Sequence, residues 1–279
     1  MSSGVPETRT GIRLRSQRSL ASSAVGTTRR QGRDMDATEL AWEHCRNGQV
    51  IYICTSRGIG LELVRQLVAS PTNIVIATCR SPSKAGALQA LRSSAKGELH
   101  VVELDTGSET SIRESVPVVA AILGDRGLDY LYNNAGIMEG NDSPFDFSYS
   151  GLLQTLQTNV AGPALLAQLY LPYIEKSKRK VIVNVTSGLA SIGTDFGEKN
   201  ATYSVSKTAL NMLTYKQAKT RLDLISYVVD PGWVKTDMGG ADAAMEVQDT
   251  VSRQLKIATS VTSKDSGKFF RHDGEEIPW

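Results

Sequence analysis

The chain has 279 residues, 41% hydrophobic and 22% charged, enough apolar surface for a full core, and no apolar run approaches the eighteen or so residues that span a membrane. The formal charge of +2 is unevenly spread: residues 1–34 hold seven arginines, no lysine and two acids (+5), and the remaining 24 bases and 27 acids leave −3 for the rest. A mildly acidic body gives no charge-based case for binding nucleic acid. Cys45, Cys54 and Cys79 lack Cys-x-x-Cys or Cys/His spacing, and their odd number argues against a disulfide framework; a reducing compartment and no metal site fit best.

Residues 1–34, rich in Ser and Arg, show no sustained apolar period and cannot offset the entropy of ordering. They read as a disordered arm or an upstream extension, although their composition is also that of a mitochondrial transit peptide. The expected compartment is the cytoplasm, or the mitochondrion if the arm is a targeting segment. A short helix is expected within 35–48 around Leu40 and Trp42, closing at Asn47-Gly48, so residues 1–48 form an extension and 49–279 one domain.

From Val50 the pattern alternates between apolar runs and helical periods, the signature of βαβ units and a doubly wound parallel α/β sheet. Strands are expected at 50–53, 74–77, 100–104, 128–132, 181–185 and 224–229. Helices are expected at 61–68, through Leu61, Val64, Leu67 and Val68, and at 85–91, 112–123 and 152–174. Another opens at Tyr203.

Between the first strand and first helix stands Cys54-Thr55-Ser56-Arg57-Gly58-Ile59-Gly60. A glycine turn here lets backbone approach a pyrophosphate, and the helix start offers it free N–H groups. The second strand ends in Thr78-Cys79-Arg80, with no acid to hold a ribose 2′-hydroxyl. Arg80, helped by Arg57, suits a 2′-phosphate, so NADP(H) is the expected cofactor. Further on, Val181–Val185 leads through Thr186-Ser187 to Tyr203-Ser204-Val205-Ser206-Lys207. Four residues apart on a helix, Tyr203 and Lys207 share a face. An ammonium one turn from a phenol favours the phenolate and would bring its proton into the working range. Ser187 could hold a carbonyl oxygen beside that phenol. Alone, such a Tyr/Lys spacing is too short to decide anything.

The wider set is decisive. Ser56-Arg57-Gly58-Ile59-Gly60, Asp105, Asn133-Asn134-Ala135-Gly136, Asn159-Val160, Ser187, Tyr203-x-x-x-Lys207, residues 231–240 and the ending from Ser266 to Trp279 stand in an order that resembles the short-chain dehydrogenase/reductases. The resemblance covers about 49–279 and is nearest to carbonyl reductases of the sniffer or C-factor type, widespread in fungi. It implies a Rossmann fold and NADPH-dependent reduction of a small-molecule ketone or aldehyde. Tyr203 would be the general acid, Lys207 would tune it and hold the nicotinamide ribose, and Ser187 would polarise the carbonyl. Asn159 would hold a proton-relaying water, Asp105 would meet adenine, and Asn134 would brace the sheet. Pro231, Gly232, Val234 and Thr236 would line the nicotinamide. A homodimer through the middle and Tyr203 helices is implied as well, with no metal. The alternatives are an NAD-dependent secondary-alcohol dehydrogenase and a cofactor-binding regulator of weak turnover.

Three departures stand out. Ile53-Cys54 replaces the family's Thr-Gly, which at a position of positive φ would weaken cofactor binding, or would leave a redox-sensitive thiol beside the anion site. Ala190 replaces a glycine, and the Arg221-Leu222-Asp223 turn lacks one and looks compressed, which bears on how the Tyr203 helix packs. The loops 191–202 and 238–260 are expected to frame the substrate, the second as a mobile apolar lid. With no arginine pair to clamp a carboxylate, a neutral or aromatic ketone fits best.

Overall fold

A computed structural model describes the backbone of residues 50–54 and the whole of residues 56–279. The arm, the helix expected within 35–48, Thr55 and the side chain of Cys54 lie outside the described residues.

Seven strands build one sheet in the order β3-β2-β1-β4-β5-β6-β7, every neighbouring pair parallel. They are β1 Val50–Cys54, β2 Ile74–Cys79, β3 Glu98–Glu103, β4 Tyr130–Asn133, β5 Val181–Val185, β6 Ile225–Asp230 and β7 Phe269–Arg271. Helices fill the connections: α1 Gly58–Leu67, α2 Gly86–Ser94, α3 Glu109–Leu123, α4 Tyr149–Leu156, α5 Gly162–Lys176, α6 Ala201–Thr220 and α7 Val247–Ser260. This is the Rossmann architecture.

The strands are rich in β-branched and aromatic residues because both faces are covered, and alternate residues serve different layers. Val181, Val183 and Val185 join Leu63 and Leu67 of α1 and Val251 and Leu255 of α7 in one core. Ile182 joins Ile112 and Val119 of α3 and Leu166 and Tyr170 of α5 in the other. The expected helix at 152–174 runs from Tyr149 to Lys176, interrupted at Gln157–Ala161 by a π turn. Such turns insert a residue into the ladder and re-aim its neighbours.

Two expectations are corrected here. Residues 247–260 are no mobile lid. Thr250, Val251, Gln254, Leu255 and Ala258 recur at helical spacing and are buried, so α7 is part of the core, and only the segment before it remains loop. The 221–223 turn is short yet well closed: Leu224 N–H donates to Arg221 O at 3.2 Å, and the Arg221 guanidinium pairs with Asp223 and Glu175 at 2.8 and 2.7 Å. Helix α6 reaches it unbroken over 20 residues.

Candidate active site

The strand order reverses between β1 and β4, and a cleft of about 430 Å³ opens there along the carboxyl ends of the strands. Ser56, Arg57, Gly58 and Ile59 form one wall where α1 begins. The first turn of α1 holds no acid and no side chain caps it, so its positive end opens unopposed towards the cleft. Gly58 is the left-handed residue of this turn (φ 51°), and a Cβ there would stand 3.2 Å from Thr236 Cγ2. Cys54 closes β1 in register with Thr78.

Arg80 and Asp105 reach the cleft from β2 and β3, Asn134 and Gly136 from the end of β4, and Pro231 and Thr236 from beyond β6. Arg80 is exposed. Arg57 is turned across the mouth, its guanidinium 2.9 Å from Asp237 Oδ2, both groups more than two-thirds exposed. Asp105 Oδ1 accepts the Gly107 N–H at 2.9 Å, which fixes its loop. Gly60 is buried within α1, Val234 is buried under a bridge to Met245, and Gly232 (φ 79°) turns towards Met245 and His272. These three do not line the cleft.

At the inner end Tyr203 and Lys207 line the cleft, while Ser187 and Asn159 stand behind them and off its wall. Lys207 is 2% exposed, and its Nζ donates to Val185 O at 2.8 Å while lying 5.7 Å from the Tyr203 ring centre. Burial lowers its pKa to about 8. The Tyr203 phenol moves up, first because of burial, then because of the nearby Asp230 charge; a hydrogen bond with Ser187 pulls the other way. The net direction is opposite to the one expected from Lys207: burial dominates, and the ammonium donates to a strand-end carbonyl.

Asn159 sits in the π turn at zero exposure. Its Oδ1 accepts the Ile137 N–H at 2.9 Å, and its Nδ2 donates to Ile137 O at 2.9 Å and to Ser206 Oγ at 3.0 Å. A Cβ on Gly136 would stand 3.2 Å from Lys207 Nζ and 3.4 Å from Asn159 Oδ1, so a glycine there lets strand end, lysine and asparagine meet. Ser187 caps a short 3₁₀ turn, its Oγ accepting the Leu189 N–H at 3.2 Å.

The family model for short chain dehydrogenases matches residues 49–247. The chain belongs to that family. This short-chain dehydrogenase, an oxidoreductase, is 30% identical over 244 residues to an uncharacterized oxidoreductase of Schizosaccharomyces pombe, a match spanning 80% of the chain and 95% of that protein. Among solved structures it is similar to the carbonyl reductase Sniffer of D. melanogaster, with TM-score 0.79 and 29% identity over 84% of this chain and all of that one. It is likewise similar to an NADPH-bound carbonyl reductase from chicken fatty liver, with TM-score 0.79 and 31% identity over 84% and 95% of the two chains.

Several contributors escaped the sequence reading. An amide bridging β4 and β5 is Asn133, whose Nδ2 donates to Asn184 Oδ1 at 2.8 Å, and Asn184 reaches Thr214 of α6 at 2.8 Å. Ser206, inside the Tyr/Lys motif itself, anchors Asn159. Thr250 of α7 donates to Pro231 O at 2.6 Å and so holds the turn beyond β6. Asp230, an acid at a strand end just before Pro-Gly, was the readable clue to a charge beside Tyr203. The loop expected at 191–202 does lie by Ser187: Phe196 stands 3.1 Å from where a Gly188 Cβ would be, and Pro278 O and Trp279 O accept from Ser191 Oγ and Gly193 N–H at 2.7 and 3.0 Å. No helix is long and apolar enough to cross a membrane, and no group of three His, Cys, Asp or Glu side chains could hold a metal, among the described residues. Cys79 is a free, buried thiol.

Proposed function

We propose that this enzyme reduces a neutral ketone or aldehyde to the alcohol with NADPH, Tyr203 giving the proton. The observation that carries the reading is the placement of Tyr203 and Lys207 together at the inner end of a cleft whose outer end is a helix N-terminus with a guanidinium nearby. The residues present fit a dinucleotide with a 2′-phosphate. The α1 N–H groups and the Gly58 backbone suit the pyrophosphate, Asp105 the adenine end and Arg80 the 2′-phosphate. Arg57 could join Arg80 only by leaving Asp237. When bound, the cofactor supplies a hydride to the carbonyl carbon.

The chain's own residues handle the oxygen. Ser187 Oγ–H polarises it, and Tyr203 Oη transfers its proton as the C=O π bond becomes a C–H and an O–H. A phenol held above its ordinary range is fully protonated at neutral pH, which is the donor form reduction needs. The phenolate left behind sits one turn from the Lys207 ammonium, which stabilises it until solvent restores the proton. Asn159 fixes the backbone at Ile137 and, through Ser206, the helix that carries both groups. Phe196 and the exposed Trp233 and Met238 give the substrate side an apolar, aromatic character suited to uncharged carbonyl compounds.

The second reading, NAD-dependent alcohol oxidation, gains weight from the Arg57–Asp237 pair, which leaves Arg80 alone for a 2′-phosphate. Thermal shifts with NADPH against NADH separate the two. We also propose a homodimer through α4 and α6, whose Tyr149, Leu153, Val205 and Met212 are exposed. The test of function is turnover of a ketone and quinone panel with NADPH. Tyr203→Phe should lose at least about 10²-fold in kcat and keep cofactor affinity. A Phe variant turning over at the wild-type rate would end the assignment.

A further inference from the structure

The last backbone bond joining β5 to β6 runs from Thr186 N–H to Val229 O at 2.9 Å. Past it the two chains diverge, one into the Ser187–Gly188 turn and the other into Pro231–Gly232. Asp230 spans the gap. Its Oδ1 accepts the Gly232 N–H at 3.0 Å, and its Oδ2 lies against Gly188, 3.3 Å from where a Gly188 Cβ would stand, so that the backbone there steadies the carboxylate charge. The two peptide groups it ties immediately follow Ser187 and Pro231, one beside the phenol and one on the cleft wall.

We propose that Asp230 is a positioning residue of the carbonyl-reducing site: it clamps the serine turn to the Pro231 turn, so that the Ser187 and Tyr203 hydroxyls face one oxygen, and it puts a negative charge beside Tyr203. The inference rests on the reading of Tyr203 as proton donor. A clamp alone needs only acceptor oxygens; a charge in that place has a second consequence. A carboxylate near a phenol holds the proton on, so the donor form persists to higher pH. Three other groups bear on this pair. Lys207 comes from α6, 5.7 Å from the Tyr203 ring centre, and Arg271 and His272 from β7 and the turn after it. Arg271 is engaged by Asp273 and Glu275, and burial holds the His272 imidazole below its ordinary range. Burial raises Asp230 as well, against the pull of the Gly232 N–H that it accepts.

The test is kcat/KM for ketone reduction against pH for wild type, Asp230→Asn and Asp230→Ala, with NADPH affinity read by quenching of tryptophan fluorescence. Asn keeps the oxygen that accepts from Gly232 and drops the charge. Its alkaline limb should move down by about half to one pH unit, with affinity for NADPH unchanged. Ala drops both, and its kcat should fall at least about tenfold with NADPH affinity again unchanged, the loss largely restored by Asn. An Asn variant whose limb stays put overturns the proposal, as does an Ala variant with wild-type kcat; if the Ala protein fails to fold, the Asn profile decides by itself. Tyr203→Phe run alongside separates the two ideas. An inactive Phe variant with an unmoved Asn profile rejects the role of Asp230 alone, whereas an active Phe variant rejects both.

Discussion

Lys207→Met should make the cofactor-free enzyme more stable at neutral pH while abolishing turnover. The lysine is 2% exposed, and burial drops its pKa from 10.5 to about 8. At 1.36 kcal/mol per unit, keeping that ammonium charged inside the fold costs roughly 3 kcal/mol at pH 7. Removing the side chain also forfeits its bond to Val185 O, about 1 kcal/mol, which leaves a net gain near 2 kcal/mol for an apolar replacement of similar length. Between the folded value of about 8 and the unfolded value of 10.5 the unfolded chain holds more protons, so wild-type stability should rise with pH through that window. Near pH 10 the buried phenols of Tyr132, Tyr203 and Tyr227 begin to oppose the trend, because burial keeps them protonated when the unfolded chain is ionised. Urea unfolding from pH 6.5 to 10 on both proteins isolates the lysine: the advantage of the Met variant should be largest below pH 8 and shrink steadily above it. A Met variant less stable than wild type at pH 7, or an advantage unchanged up to pH 10, would mean that the ammonium is compensated in the fold and that the burial argument is wrong.

Arg80→Ala should weaken NADPH by at least about tenfold, the worth of one charge-assisted phosphate contact, and leave NADH within about twofold; equal losses for both would remove Arg80 from the 2′-phosphate site. Met212→Glu, on the exposed face of α6, should convert the proposed dimer to a monomer in light scattering while leaving the fold intact. A variant that stays dimeric would move the interface elsewhere.

The sheet was legible because its strands are buried on both faces and therefore read as short apolar runs at regular spacing. Six of the seven strands were expected within a few residues of their observed ends. The seventh, Phe269–Arg271, is three residues long, too short for any periodicity to register. Helix α7 was misread for a different reason. Its polar residues Thr250 and Gln254 look like loop composition, yet both are buried, spent on Pro231 and on the hydroxyl of Tyr132 at 2.6 and 2.7 Å. The same distinction runs through the site. Spacing along one helix put Tyr203 and Lys207 on a shared face, and that is what the fold shows. The energetics of the pair follow from β5, from the π turn and from Asp230, all remote in sequence, and these reverse the expected direction of the phenol. A neighbour's charge can be read from four residues of sequence; the solvent that several distant elements together exclude cannot. In this site the second effect is the larger, so the phenol rests protonated, the form that the proposed reduction would draw on.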